Sequence, residues 1–86
     1  MNLNKQNLIN KIIYRSNYRG SKEMDIFLSS FVKSIIKLLT IDELNDLNDI
    51  IKLSDEEILK IIINEIKNTN YNNKIIKLLI KFKKRN

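Results

Sequence analysis

Apolar residues recur along this chain at intervals of three and four. Met24, Phe27, Leu28, Phe31, Val32, Ile35 and Ile36 keep the i, i+3, i+4, i+7, i+8 spacing, which puts them on one stripe of a helix. No stretch alternates apolar and polar residues for long enough to argue for a strand. The pattern therefore predicts an all-α chain, and its punctuation sets the number of helices. Thr40-Ile-Asp-Glu43 and Ser54-Asp-Glu-Glu57 both have the form of a capping box, with Leu39/Leu44 and Leu53/Ile58 at the staple positions on either side. Asn4 is expected to cap the first helix with Leu3 and Leu8 as its staple, and Asn72 or Asn73 to cap the last.

These signals give five helices, at 5–17, 21–38, 41–52, 55–67 and 73–84. The connections are only a few residues long, so consecutive helices are expected to pack as neighbours in a compact, mostly antiparallel five-helix bundle. Ile58, Leu59, Ile61, Ile62, Ile63 and Ile66 lie on more than one face of the fourth helix. That breadth predicts a central place in the core. The segment 68–73, NTNYNN, is the most polar connection.

Composition narrows the functions available. The 86 residues are 43% hydrophobic and 30% charged, as expected of one globular domain spanning 1–86. There is no cysteine and no histidine. Disulfides, thiolate metal sites, Cys/His pairs and Ser-His-acid triads are thereby excluded, so an enzyme is not expected and no metal is assigned. The longest uninterrupted apolar runs are three residues, too short for a membrane span or a signal peptide; a cytoplasmic location is the expectation. Asp42, Glu43, Asp46 and Asp49 lie close on one helix side, but they are read as cap, dipole partners and solvated face, without a catalytic role.

Charge falls in three blocks. Residues 1–22 hold five basic groups and no acid, residues 23–66 hold four basic and ten acidic groups, and residues 67–86 hold seven basic groups and no acid. The positive excess thus sits at the two ends, where an acidic protein surface, nucleic acid or anionic lipid would be drawn. In the last block Lys74, Lys77, Lys81 and Lys84 oppose Ile75, Ile76, Leu79 and Phe82. This basic amphipathic pattern supports an alternative function as a small helical module binding nucleic acid or an anionic membrane surface. The favoured reading docks the apolar side on the bundle with the lysines solvated, because a small bundle needs that apolar area buried. Tyr14, Tyr18 and Tyr71 form no recognisable stacking platform, so nucleic acid is not an expected partner.

The single glycine, Gly20, stands in a chain without proline. It falls between the first two helices, where it is expected to take the positive φ of a C′ residue or to act as N-cap with Glu23 at N3. Arg15 and Arg19, one turn apart, join Glu23 and Asp25 in an expected polar cluster at an exposed corner. Arginines so placed fork onto carboxylates of their own chain or of a partner.

Tyr14-Arg15-Ser16 followed by Arg19-Gly20-Ser21-Lys22-Glu23-Met24-Asp25 resembles the R-G-x-x-E-x-D signature of the SdhE-type FAD assembly factors, whose mitochondrial relatives are called succinate dehydrogenase assembly factors. The likeness extends through the phenylalanine-bearing second helix and the acidic capping-box segment TIDELNDLNDIIKLSDEEIL. Many members carry a tryptophan in the fourth helix and a less lysine-rich C-terminus; this chain has no Trp and ends KFKKRN. The resemblance implies a five-helix assembly factor that binds the flavoprotein subunit of succinate dehydrogenase, with fumarate reductase as a possible second client. It also implies that the factor promotes covalent attachment of FAD, the FAD being bound by the partner. It places the contact surface at Arg19, Gly20 and Glu23, with Asp25 and Arg15 in support. Covalent flavin attachment needs a nucleophilic side chain, usually histidine, so with no His or Cys here the acceptor lies on the partner.

Overall fold

The computed structural model describes residues 3–64 and 73–85, and every regular element among them is helical. Five α-helices run α1 (Leu3–Asn17), α2 (Lys22–Ile35), α3 (Ile41–Ile51), α4 (Asp55–Asn64) and α5 (Asn73–Arg85), with a 3₁₀ turn at Ile36–Leu38. The expected end of the fourth helix at 65–67, its Ile66, the cap Asn72 and most of the NTNYNN connection lie outside the described residues. None of the helices among the described residues is long and apolar enough to cross a membrane.

The caps explain most boundaries. Thr40 Oγ1 accepts from the Glu43 amide at 3.2 Å while the Glu43 carboxylate accepts from the Thr40 amide at 2.9 Å, a complete capping box that starts α3. Ser54 Oγ accepts from the Glu57 amide at 3.1 Å, but here the glutamate takes its second bond from the Ser54 hydroxyl, so the α4 box is closed side chain to side chain. Two expected caps are corrected. Asn4 lies inside α1, which begins at Leu3. Ser21, not Gly20, is the N-cap of α2: its hydroxyl accepts from the Met24 amide at 3.2 Å, a bond a glycine has no side chain to make. Glu23 is consequently at N2 rather than N3. The expected helix 21–38 also ends its α-geometry at Ile35, where the backbone tightens into the 3₁₀ turn before Leu39 becomes extended.

The core is built from the stripe of α2 and what faces it. Leu28, Phe31 and Val32 are buried with Ile12 of α1, Leu44 and Leu47 of α3, Ile58 of α4, and Ile75 and Leu79 of α5. α1 packs on both α2 and α3, and α5 packs on both α3 and α4. Neighbouring in sequence thus means neighbouring in space for α1–α2 and α4–α5, whereas α3 lies mainly against α1 and α5, re-aimed by the extended backbone at Leu39. The central position expected of the fourth helix is corrected as well. Ile58 and Ile61 are buried, but Leu59 and Ile63 are exposed; α4 packs chiefly on α5 and so buries one stripe only.

The last helix docks as the favoured reading expected. Ile75, Ile76 and Leu79 are buried and Lys77, Lys81 and Lys84 exposed, so the apolar side of α5 is spent on the bundle rather than offered to lipid. Phe82 fixes its far end, with ring centroids 5.8 Å from Phe27 and 5.5 Å from Phe31. Lys74 fixes its near end through a 2.6 Å ion pair with Glu43.

Two outcomes follow from this packing. Phe31→Ala should cost about 3–5 kcal/mol in chemical denaturation; a loss under about 1 kcal/mol would show that the aromatic cluster does not hold α5 in place. The Lys74 ammonium, with the Thr40 amide, lowers the Glu43 pKa from its ordinary value. A depressed carboxyl pKa stabilises the fold above the unfolded value and loses that contribution as pH falls through the folded value. The stability gap between the wild type and Lys74→Ala should therefore be largest near neutrality, close in acid, and shrink with added salt because the pair is exposed. A gap that is the same at all pH values would remove the pair from the account.

Candidate partner-binding corner

The corner between α1 and α2 is four residues, Tyr18-Arg19-Gly20-Ser21. Asp25, one turn into α2, accepts from the backbone N–H of Arg19, which folds the turn back on the helix it introduces. The Arg19 side chain leaves the surface and crosses to the junction between α3 and α4. Its Nε donates to Asp55 Oδ1 at 2.8 Å, its Nη1 to the carbonyl of Ile51 and its Nη2 to the carbonyl of Leu53, each at 2.5 Å. A helix leaves its last carbonyls without intrahelical donors and carries a partial negative charge at that end. One guanidinium thus caps the end of α3 and pairs with the first residue of α4. Its side chain is 9% exposed and that of Asp55 24%.

The second oxygen of Asp55 is also used. Oδ2 accepts from the Gly20 N–H at 3.2 Å, so the carboxylate is clamped between Arg19 and the backbone of the next residue. Gly20 has no positive φ, and a Cβ built on it would stand 3.2 Å from the same Asp55 oxygen. The expected left-handed conformation is therefore corrected: space beside Asp55, not φ, is what glycine provides.

The five residues singled out in the sequence divide into two groups. Arg15 is half-buried and its Nη1 donates to Oδ1 of the buried Asn48 on α3 at 3.1 Å. With Arg19 and Asp25 also turned inward, the expected open cluster of arginines and carboxylates is replaced by internal ties. Glu23 is the exception. It is exposed and holds no hydrogen bond or ion pair among the described residues. Gly20 shows its backbone at the surface between the two groups.

Three contributors escaped the sequence reading. Asp55 was legible only as part of the Ser54 cap, because its tie to Arg19 spans 36 positions and no local spacing encodes it. Asn48 is polar on an otherwise apolar stripe, a signal that could have marked it as a buried acceptor. Tyr14 and Tyr18 are 64% and 71% exposed, and their rings pack at 4.6 Å with a 38° tilt; Tyr71, the third tyrosine, lies outside the described residues. The i, i+4 spacing of the first two is the one that brings side chains on a helix face together. Among the described residues no group of three or more carboxylates is placed to hold a metal ion.

The chain belongs to the family described as flavinator of succinate dehydrogenase, whose sequence profile matches residues 10–83. It is 33% identical over 48 residues to the FAD assembly factor SdhE of Acetobacter pasteurianus, a stretch that covers 56% of this chain and 44% of that protein. The match thus spans less than half the length of that relative. No solved structure matches the chain.

Arg19→Ala should lower stability by about 2 kcal/mol or more, since a helix-end carbonyl, a loop carbonyl and a carboxylate lose a charged donor. Arg19→Lys should recover little of it, because an ammonium on a flexible stem cannot reproduce a planar fork onto three acceptors. Thermal or urea unfolding of both variants checks this, and a fully stable Arg19→Ala would contradict the internal role.

Proposed function

We propose that this protein binds the flavoprotein subunit of succinate dehydrogenase through the Tyr18–Asp25 corner and promotes covalent attachment of FAD to it. Family membership supports an FAD assembly role. The observation that carries the assignment to the corner is Glu23, an exposed carboxylate with no partner among the described residues, on a turn otherwise held by internal bonds. Direct contact falls to Glu23 and to the exposed backbone at Gly20. Arg19, Asp25 and Arg15 serve the same surface from behind, by holding its shape.

The chain has no histidine or cysteine to serve as flavin acceptor, which favours an acceptor on the partner; the family likeness supports FAD held by the partner and a protein that acts as an assembly factor rather than as a catalyst. It works by favouring one conformation of the client, and its effect is bounded by its differential affinity for the two client states. On this reading the protein works in the cytoplasm with its client, and the flavoprotein subunit of fumarate reductase is the second client to assay.

The test is covalent flavin on the client subunit, read as in-gel fluorescence after denaturation. Wild-type protein should raise the signal, and Glu23→Ala should remove most of that gain while losing no more than the roughly 0.3–1 kcal/mol of a carboxylate in a first helical turn. Flavinylation that is indifferent to the wild-type protein would overturn the function. Flavinylation that depends on the wild type but not on Glu23 would overturn the corner as the contact.

A further inference from the structure

We infer that Asp55, at the start of α4, is a positioning residue for the partner-binding corner, and that it is the reason position 20 must be glycine. The inference rests on the reading that the corner is the contact surface. Asp55 uses its two oxygens on two consecutive residues of the motif. Oδ1 takes the Arg19 Nε–H at 2.8 Å and Oδ2 takes the Gly20 N–H at 3.2 Å. The carboxylate therefore fixes both the arginine that anchors the turn and the backbone of the residue that follows it.

A glycine at an exposed corner invites the explanation that a partner approaches its backbone too closely for a side chain. The geometry gives another cause inside the molecule. A Cβ at position 20 would stand 3.2 Å from Asp55 Oδ2, tighter than ordinary van der Waals contact. The φ of Gly20 lies outside the left-handed region, so alanine is not refused by the backbone. What it disturbs is the carboxylate, and through it the Arg19 fork. On this account glycine at position 20 protects the clamp, and the clamp presents Glu23, three residues on, at a fixed angle to the client.

The two causes predict different couplings. Affinity for the isolated flavoprotein subunit is measured for the wild type, Gly20→Ala, Asp55→Ala and the double variant. If the clamp sets the glycine requirement, Gly20→Ala should weaken binding about tenfold in the wild-type background but less than about twofold once Asp55 is alanine, the non-additivity of residues in direct contact. An equal loss in both backgrounds would assign the glycine to the partner's close approach and overturn the inference.

Asp55→Asn guards against a variant that fails to fold. It keeps the shape but has one acceptor oxygen for two donors. It should retain the helical circular dichroism while the Gly20 amide exchanges its hydrogen several-fold faster; an unchanged rate would also overturn the clamp. Should the wild-type protein not bind the subunit at all, the proposed contact fails, and the amide exchange still decides whether Asp55 holds the corner.

Discussion

A guanidinium taken almost out of water must find acceptors for its hydrogens, and in this protein Arg19 finds them on two helices remote in sequence. That requirement organises the corner. The carbonyl of Ile51 is one that the end of α3 cannot satisfy internally, that of Leu53 belongs to the loop that follows, and the Asp55 carboxylate sits where the N-terminal dipole of α4 favours negative charge. Each group would be poorly placed alone. Together they make a junction in which the end of one helix, the start of another and the turn between two more are held by one side chain. The turn is further closed by Asp25 on the Arg19 amide and Asp55 on the Gly20 amide. Arg15 on Asn48 repeats the device one turn earlier, tying α1 to α3.

Under the proposed function, in which the protein acts by binding, this arrangement has a functional meaning. Ordering a loop at an interface costs conformational entropy, and a turn already fixed in the unbound protein avoids that cost. The R-G-x-x-E-x-D pattern then reads as two kinds of residue with different tasks. Arginine, glycine and aspartate build and brace the turn, and glutamate is what the turn displays. The packed, exposed rings of Tyr14, on α1, and Tyr18, at the start of the corner, add an aromatic surface to the same end of the molecule. At the opposite extreme of the chain, Lys77 and Lys81 of α5 face outward while its apolar side is taken up by the bundle, the fate expected when a small protein has little apolar area to spare.

What could be read in the sequence was local. The α2 stripe, the Thr40 capping box and the docking of α5 depend on residues within one or two turns of each other, and the structure bears them out. The failures have physical reasons. A charged arginine at a glycine corner looks exposed until the end of a distant helix and the loop that follows offer it carbonyls, as Ile51 and Leu53 do. Gly20 suggests a positive φ because that is glycine's commonest use, whereas here its missing Cβ leaves room for an oxygen of Asp55. The isoleucines of α4 spread around the helix, but how many are covered depends on which helices pack on it, and Leu59 and Ile63 are left at the surface. Tertiary partners decided each of these cases.

If Arg19 braces the corner, it stays on Asp55 when the client binds. The most direct measurement is the NMR signal of the Arg19 side-chain Nε–H, followed in the free protein and on addition of the flavoprotein subunit. The account predicts a slowly exchanging proton whose position persists in the complex, while the backbone signals of Tyr18, Gly20 and Glu23 shift. A proton that is released to fast exchange, or that moves to a new partner on binding, would show that Arg19 abandons Asp55 for the client and would contradict the account.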